Sequence, residues 1–335
     1  MTTIPCHLRR NHSMRISRRS LLAAAATTAM AAPAIAQPAF PTRPIRMVVP
    51  FAPGGATDLI TRLLAEEMAR PLGQNVVVEN RSGASGTIAG NFVARGPADG
   101  YTLFMGTTGT NILAPFFVLD APYETERDFR GVAMVAGIAN LLVVGPAIPA
   151  TTVQEFIAYA RANPGRVNYA ATGSGSQMAM ELFLQRAGIT ATAVNYRGSG
   201  PALQDMIRGD VHATMDLISS TLPTVQDGQL RALGVSTTAR NPRAPAVPTL
   251  QEAGVPGYEF LSWQGVFAPR ATPDAIVEKL SQAINDALAN PELRRRIEAM
   301  AADPMGGTPA EMDRYIAREV ATLSAVARAA GIRPQ

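Results

Sequence analysis

Residues 45–58 read Ile45-Arg46-Met47-Val48-Val49-Pro50-Phe51-Ala52-Pro53-Gly54-Gly55-Ala56-Thr57-Asp58. The first part is a short, nearly all-apolar run with two adjacent valines, which suits a strand buried on both faces of a sheet. Pro50 and Pro53 then restrict the backbone, while Gly54-Gly55 permits positive φ, so a turn follows and not a helix. Thr57 and Asp58 open an amphipathic helix, with Ile60, Leu63, Leu64 and Met68 at helical spacing and Pro71 and Gly73 as its stop. Strand, glycine turn and helix start together aim free N–H groups and the positive end of a helix dipole at one spot. That spot suits an anion. An ordinary strand-to-helix connection that binds nothing has the same local pattern, and this stretch alone does not separate the two.

The unit repeats. Asn75-Val76-Val77-Val78-Glu79-Asn80 is a second strand, followed by a small-residue turn at 81–87 and a helix through Ile88, Phe92 and Val93. Tyr101 to Thr108 is a third strand with hydroxyls at its carboxyl end. Three strand-to-helix units in succession predict a parallel, doubly wound α/β sheet, whose ligands sit beyond the carboxyl ends of the strands. Val132 to Val144 is a long apolar run read as the crossing into a second domain, where the theme returns. Val167 to Ala171 leads through Thr172-Gly173-Ser174-Gly175-Ser176 into a helix ended by Gly188, and Thr192 to Tyr196 leads through Gly198-Ser199-Gly200 to Pro201. Val211 to Ile218 and Leu230 to Ser236 supply further strands, and Phe260 to Ala268 is a strand on the return to the first domain. Three helices each opened by a proline, Pro273, Pro291 and Pro309, close the chain with ordinary apolar stripes.

The chain has 335 residues, 47% hydrophobic and 17% charged, a globular balance with room for two domains. Residues 1–36 read as an export signal: Arg9, Arg10, Arg15, Arg18 and Arg19 precede an uncharged run from Leu21 to Ala32, and Ala34-Ile35-Ala36 offers a peptidase small residues. Ser17-Arg18-Arg19-Ser20-Leu21-Leu22 resembles the twin-arginine export motif without its usual aromatic residue, and a general secretory signal reads the same way. Met14 is an alternative start. The formal charge of +4 includes those five arginines and no leader acid, so the remainder carries −1 and loses the main argument for nucleic-acid binding.

The inventory of reactive side chains is short. Cys6 is the only cysteine and lies in the leader, with His7 and His12, leaving His212 as the sole histidine beyond it. Metal sites of the His/Cys type and triads built on a histidine base lose their residues. Lys279 is the only lysine, and no Gly-Lys-Ser/Thr occurs, which removes the P-loop. The glycine-rich turns carry neither Gly-x-Gly-x-x-Gly nor Gly-x-Ser-x-Gly. Asp58 and Asp216 are candidates for paired catalytic carboxylates, although Asp58 also suits a helix N-terminus and Asp216 the end of a strand near the cleft.

Three ordered motifs carry a family resemblance: Pro50-Phe51-x-x-Gly54-Gly55-x-x-Asp58, Asn195-Tyr196-Arg197-Gly198-x-Gly200-Pro201-Ala202, and Val247-Pro248-Thr249-Leu250-x-Glu252-Ala253-Gly254-Val255-Pro256-Gly257-Tyr258. Together they resemble the Bug (TctC-like) extracytoplasmic solute-binding receptors of tripartite tricarboxylate transporters. The resemblance implies a two-domain type II periplasmic-binding-protein fold, α/β and hinged, with a ligand cleft between domains. Its expected divisions are the signal at 1–36, a first domain at 37–144 and 262–335, and a second at 145–261. It implies a periplasmic protein, its signal cleaved near Ala36, that captures a small carboxylate-bearing acid for the permease subunits of a membrane transporter. No cofactor, metal, catalysis or nucleic acid enters that account, and a monomer is expected.

Carried over by position, the first turn supplies Phe51, Gly54, Gly55, Ala56 and Asp58, and the second supplies Thr172, Gly173, Ser174 and Gln177. Thr107, Tyr196, Gly198 and Asp216 complete the wall. Gln177 departs from the family, which usually has a histidine there, so the distal half of the ligand is expected to differ from the common dicarboxylates. Two rival readings stay open on the residues: an exported enzyme acting on an acid through Asp58 and Asp216, and a ligand-sensing subunit of a signalling system.

Overall fold

Strand β1 (Ile45–Val49) lies between β2 (Val76–Asn80) and β3 (Thr102–Thr107) and runs parallel to both. The computed structural model describes residues 40–333, so the export signal read at 1–36 lies outside the described residues. Ile45, Met47, Val48 and Val49 are fully buried, as an apolar strand between two neighbours requires. Arg46 escapes the core by reaching Glu79 on β2 at 3.2 Å. Helix α1 (Ala56–Leu72) makes the crossover from β1, burying Ile60, Leu64 and Met68, and stops at Gly73 in the left-handed conformation. Helix α2 (Thr87–Ala94) makes the next one. The spatial order β2-β1-β3 is therefore a parallel, doubly wound arrangement.

Strand β4 (Phe129–Val144) organises the rest. Its first part, Phe129 to Ala139, pairs antiparallel with β9 (Leu261–Pro269), and β10 (Asp303–Gly306) pairs with it between Met134 and Gly137. From Asn140 to Val144 it changes partners, pairing antiparallel with β7 (Ala213–Leu217) and β8 (Arg231–Val235). Much of the strand thus has a partner on both edges, and it is buried almost throughout. Strands β5 (Asn168–Ala171) and β6 (Thr192–Asn195) are parallel, and β5 is also parallel to β7. The full order is β2-β1-β3-β9-β4-β7-β5-β6.

Helices α3 (Val153–Ala162), α4 (Ser174–Ala187), α5 (Ser199–Arg208) and α6 (Ile218–Gln226) accompany these strands. Ile218 belongs to α6, not to the strand read over 211–218; the strand ends at Leu217. The closing helices are α7 (Asp274–Ala289), α8 (Pro291–Ala299) and α9 (Pro309–Ala329). A capping box between Thr308 and Glu311 sets the start of α9, which packs on β4 and on α4. Strand β10 has no counterpart in the sequence reading. Its Pro304 and Gly306 argue against a strand, and it exists because its single partner, β4, leaves an edge to pair with. The aromatic part of the core is two clusters, Phe104, Tyr123 and Phe267 around Phe129, and Phe156 and Tyr258 against Phe183.

Candidate functional site

Three strand-to-helix corners meet at one cavity. The first joins β1 to α1. Gly54 has φ +89°, a conformation that favours glycine, and its N–H donates to Asp58 Oδ2 at 2.9 Å. Asn80 Nδ2 donates to Asp58 Oδ1 at 2.8 Å and to the Phe51 carbonyl at 3.0 Å, and Arg62 Nε donates to Asp58 Oδ2 at 3.0 Å. Asp58 is buried and acts as the clamp of the turn. Burial alone pushes its carboxyl up, but the Arg62 guanidinium, the Gly54 N–H and the Asn80 amide outweigh it and hold the group below the usual range. Gly55 is the cap residue of α1 with no side chain bonding the helix start, so the first N–H groups of the helix have no partner within it.

The second corner joins β5 to α4. Gly173 caps the helix in an extended conformation, again with no side-chain cap. A Cβ built on Gly173 meets nothing within 4 Å; the position faces open space. The third corner joins β7 to α6, whose start likewise has no side-chain cap. Asp216 is 4% exposed and its Oδ1 accepts the Leu217 N–H at 2.8 Å. Asp216 Oδ2 is buried with no hydrogen-bond partner.

Between these corners lies a cavity of about 440 Å³. Of the residues named from the sequence, Phe51, Ala56, Thr107, Thr172, Gly173, Ser174 and Asp216 line it. Gly54, Gly55 and Asp58 are not among its lining residues but belong to the first corner, and Gly198 caps α5 with φ +107°. Gln177 and Tyr196 line a neighbouring cavity of about 620 Å³ that shares Gly173 and Ser174 with the first. The Tyr196 hydroxyl donates to Asp205 Oδ2 at 2.8 Å; burial, with the Asp205 carboxylate beside it, pushes this phenol up to about 12. Thr107 is engaged locally, its Oγ1 accepting the Thr110 N–H at 3.2 Å.

Thr57 and Ser176, within the two turns read from the sequence, also line it, and so do Thr108, Asn140, Ser199, Ser262 and Gln264, which the sequence did not single out as site residues. Thr108 joins β3 to β9, donating to the Leu261 carbonyl at 3.3 Å and accepting the Trp263 N–H at 3.0 Å. Asn140 was the most legible of them, a single polar residue in the apolar run 132–144. Its backbone N–H donates to Ser236 Oγ at 2.8 Å and its Oδ1 accepts from Ser262 Oγ at 3.1 Å. Among the described residues no arginine, lysine or histidine lines the cavity, and Asp216 is the one charged side chain that does. Among the described residues no group of His, Cys, Asp or Glu is placed to hold a metal ion.

The family model of the tripartite tricarboxylate transporter family receptor matches residues 60–332. The chain belongs to that receptor family. Protein BugT of Bordetella pertussis is 36% identical over 311 residues, covering 92% of this chain and 95% of BugT. The solved structure of R. palustris Rpa4515 with adipate is 40% identical, with a TM-score of 0.73, and the match covers 88% of this chain and 100% of that one. MatC from Rhodopseudomonas palustris with bound malate is 34% identical, with a TM-score of 0.70, covering 86% of this chain and 100% of MatC. The receptor is accordingly a solute-binding protein and not an enzyme, and its fold is the α/β fold of the periplasmic binding proteins. Among its described residues no helix is long and apolar enough to cross a membrane.

Proposed function

We propose that this receptor works in the periplasm, after cleavage of its signal near Ala36, by capturing a small organic acid and presenting it to the permease subunits of a tripartite transporter. The observation that carries the reading is a pair of helix starts without side-chain caps, at Ala56 and Ser174, that line one cavity with no cationic side chain among its described lining residues. A carboxylate there is bound by backbone N–H groups and the positive ends of two helix dipoles, which costs no desolvation of a lysine or arginine. Adipate in one relative's structure and malate in another support the same ligand class.

The two lobes of this reading are 37–144 with 262–335, and 145–261. Strands β4 and β9 connect them, and rotation about these strands opens and closes the cleft in the hinge manner. In that division Phe51, Ala56 and Thr107 belong to the first lobe and Thr172, Gly173, Ser174 and Asp216 to the second, and all seven line the cavity. Gly54, Gly55 and Asp58 hold the first corner in shape, and Gln177, Tyr196 and Gly198 belong to the outer part of the cleft. The receptor acts as a monomer.

The test is binding without turnover. Calorimetry of the chain from residue 37 with a panel of organic acids is expected to give one site per molecule. Mass spectrometry after long incubation is expected to recover the acid unchanged. A chemically altered acid, or a panel in which none binds, contradicts the proposal.

A further inference from the structure

The second cavity, of about 620 Å³, lies beside the first and shares Gly173 and Ser174 with it. Its wall is the more polar of the two, with Ser85, Gln177, Glu181, Asn195, Tyr196 and Arg333. Two of these are committed: the Tyr196 hydroxyl donates to Asp205, and Glu181 Oε1 accepts the Tyr169 hydroxyl at 2.6 Å. Among the described residues no hydrogen bond or ion pair engages the side chains of Ser85, Gln177, Asn195 or Arg333. Gln177 is half-buried and the other three are exposed, so all four are open to a ligand.

Two local structures hold this arrangement. Ser85 sits at φ +55° and ψ +28°, the left-handed region that a serine rarely adopts, and such backbone is kept where its surroundings demand it. Arg333 follows the end of α9, where a Schellman motif turns the chain. Gly331 has φ +66° and its N–H donates to the Arg328 carbonyl at 3.2 Å, while the Ile332 N–H donates to the Ala327 carbonyl at 3.0 Å. Ile332 packs against the core. A fixed helix stop thus delivers the guanidinium to the cavity.

Arg333 is the one cationic side chain among the described lining residues of either cavity. A guanidinium meets a carboxylate through two parallel N–H donors, and the Gln177 and Asn195 amides have donors of their own. We propose that the second cavity is a subsite for a second anionic group, and that Arg333 selects extended dicarboxylic acids whose first carboxylate lies at the Ala56 and Ser174 helix starts. This rests on the receptor reading above and extends it. Gln177 is neutral, so the charge at the far end comes from the segment after α9 and not from the second turn. The Glu181 charge opposes a second anion, so removing it acts in the opposite direction to removing Arg333.

The experiment is calorimetry on the chain from residue 37 with straight-chain acids of increasing length, each in its monocarboxylic and α,ω-dicarboxylic form. The longer dicarboxylic forms are expected to bind the wild type on the order of 10-fold more tightly than monocarboxylic forms of equal carbon number. Arg333→Gln is expected to remove that preference and Glu181→Gln to enlarge it, while neither changes binding of the monocarboxylic forms. Thermal melts of both variants establish that each is folded. A preference unchanged in Arg333→Gln, an equal loss for both forms, or shifts of the reverse sign in the two variants overturns the inference and leaves the receptor reading standing. No binding by any acid overturns both.

Discussion

Ser262 Oγ donates a 3.1 Å hydrogen bond to Asn140 Oδ1, and this bond joins β9 to β4 at the residue where β4 exchanges one set of strand partners for another. Both residues also line the cavity, so the joint is within reach of whatever binds there. A double-mutant cycle of Asn140→Ala and Ser262→Ala, followed by urea denaturation, is expected to give a coupling of about 1 kcal/mol. Additive effects within error would mean that the bond contributes nothing to the joint.

The two glycines most exposed by the sequence reading behave differently once placed. Gly173 is extended and a side chain there projects into open space, so Gly173→Val is expected to fold with little change in melting temperature and to lose ligand binding. Gly54 has a positive φ, so Gly54→Val strains the turn by about 1–2 kcal/mol. It is expected to lose stability first and binding as a consequence. Thermal melts beside calorimetry separate the two outcomes.

Much of this was legible in the chain itself. The apolar run of β1, the turn at Gly54-Gly55 and the helix after it follow from local chemistry, and the same pattern at 167–187 marks the second corner. What local pattern does not carry is which residues the fold brings together from afar. Asn140 and Ser262 are 122 positions apart and meet because β4 and β9 pair antiparallel. Asp58 is a related case. Its position in the first motif marked it as a site residue, but the bonds its carboxylate accepts from Gly54, Arg62 and Asn80 become visible only in the fold. Strand β10 was invisible because its residues have no strand propensity of their own and pair only along an edge that β4 provides.

The Asp58 clamp is testable on its own. Asp58→Ala removes the acceptor of the Gly54 N–H and one of the two acceptors of the Asn80 amide, and is expected to destabilise the protein by ~1–3 kcal/mol. The folded-state carboxyl is held below its usual range, so the stability it contributes is present above the unfolded value and is lost as pH falls through the folded value. Urea midpoints measured between neutral and acid pH are expected to fall less steeply for Asp58→Ala than for the wild type. Equal slopes would place the acid sensitivity elsewhere.

Glu319 on α9 has the opposite sign. It is buried, its Oε2 has no hydrogen-bond partner, and burial pushes its carboxyl up to about 7, with Arg318 opposing and the Glu259 charge reinforcing the shift. A carboxyl raised in the folded state favours folding while protonated. That contribution is complete below the unfolded value and is lost as pH rises through about 7. Glu319→Gln, neutral at every pH, is expected to be more stable than the wild type at pH above 8 by on the order of 3 kcal/mol, and no more stable near pH 4. A stability difference that does not change with pH would contradict this.

The central claim is that backbone N–H groups at two helix starts hold a carboxylate that the protein carries and does not transform. A crystal structure of the chain from residue 37 with the tightest-binding acid of the panel tests it most directly. The account predicts carboxylate oxygens within hydrogen-bond distance of N–H groups in both the Ala56 and the Ser174 turns, and an intact ligand. A ligand bound without contact to either turn would contradict it.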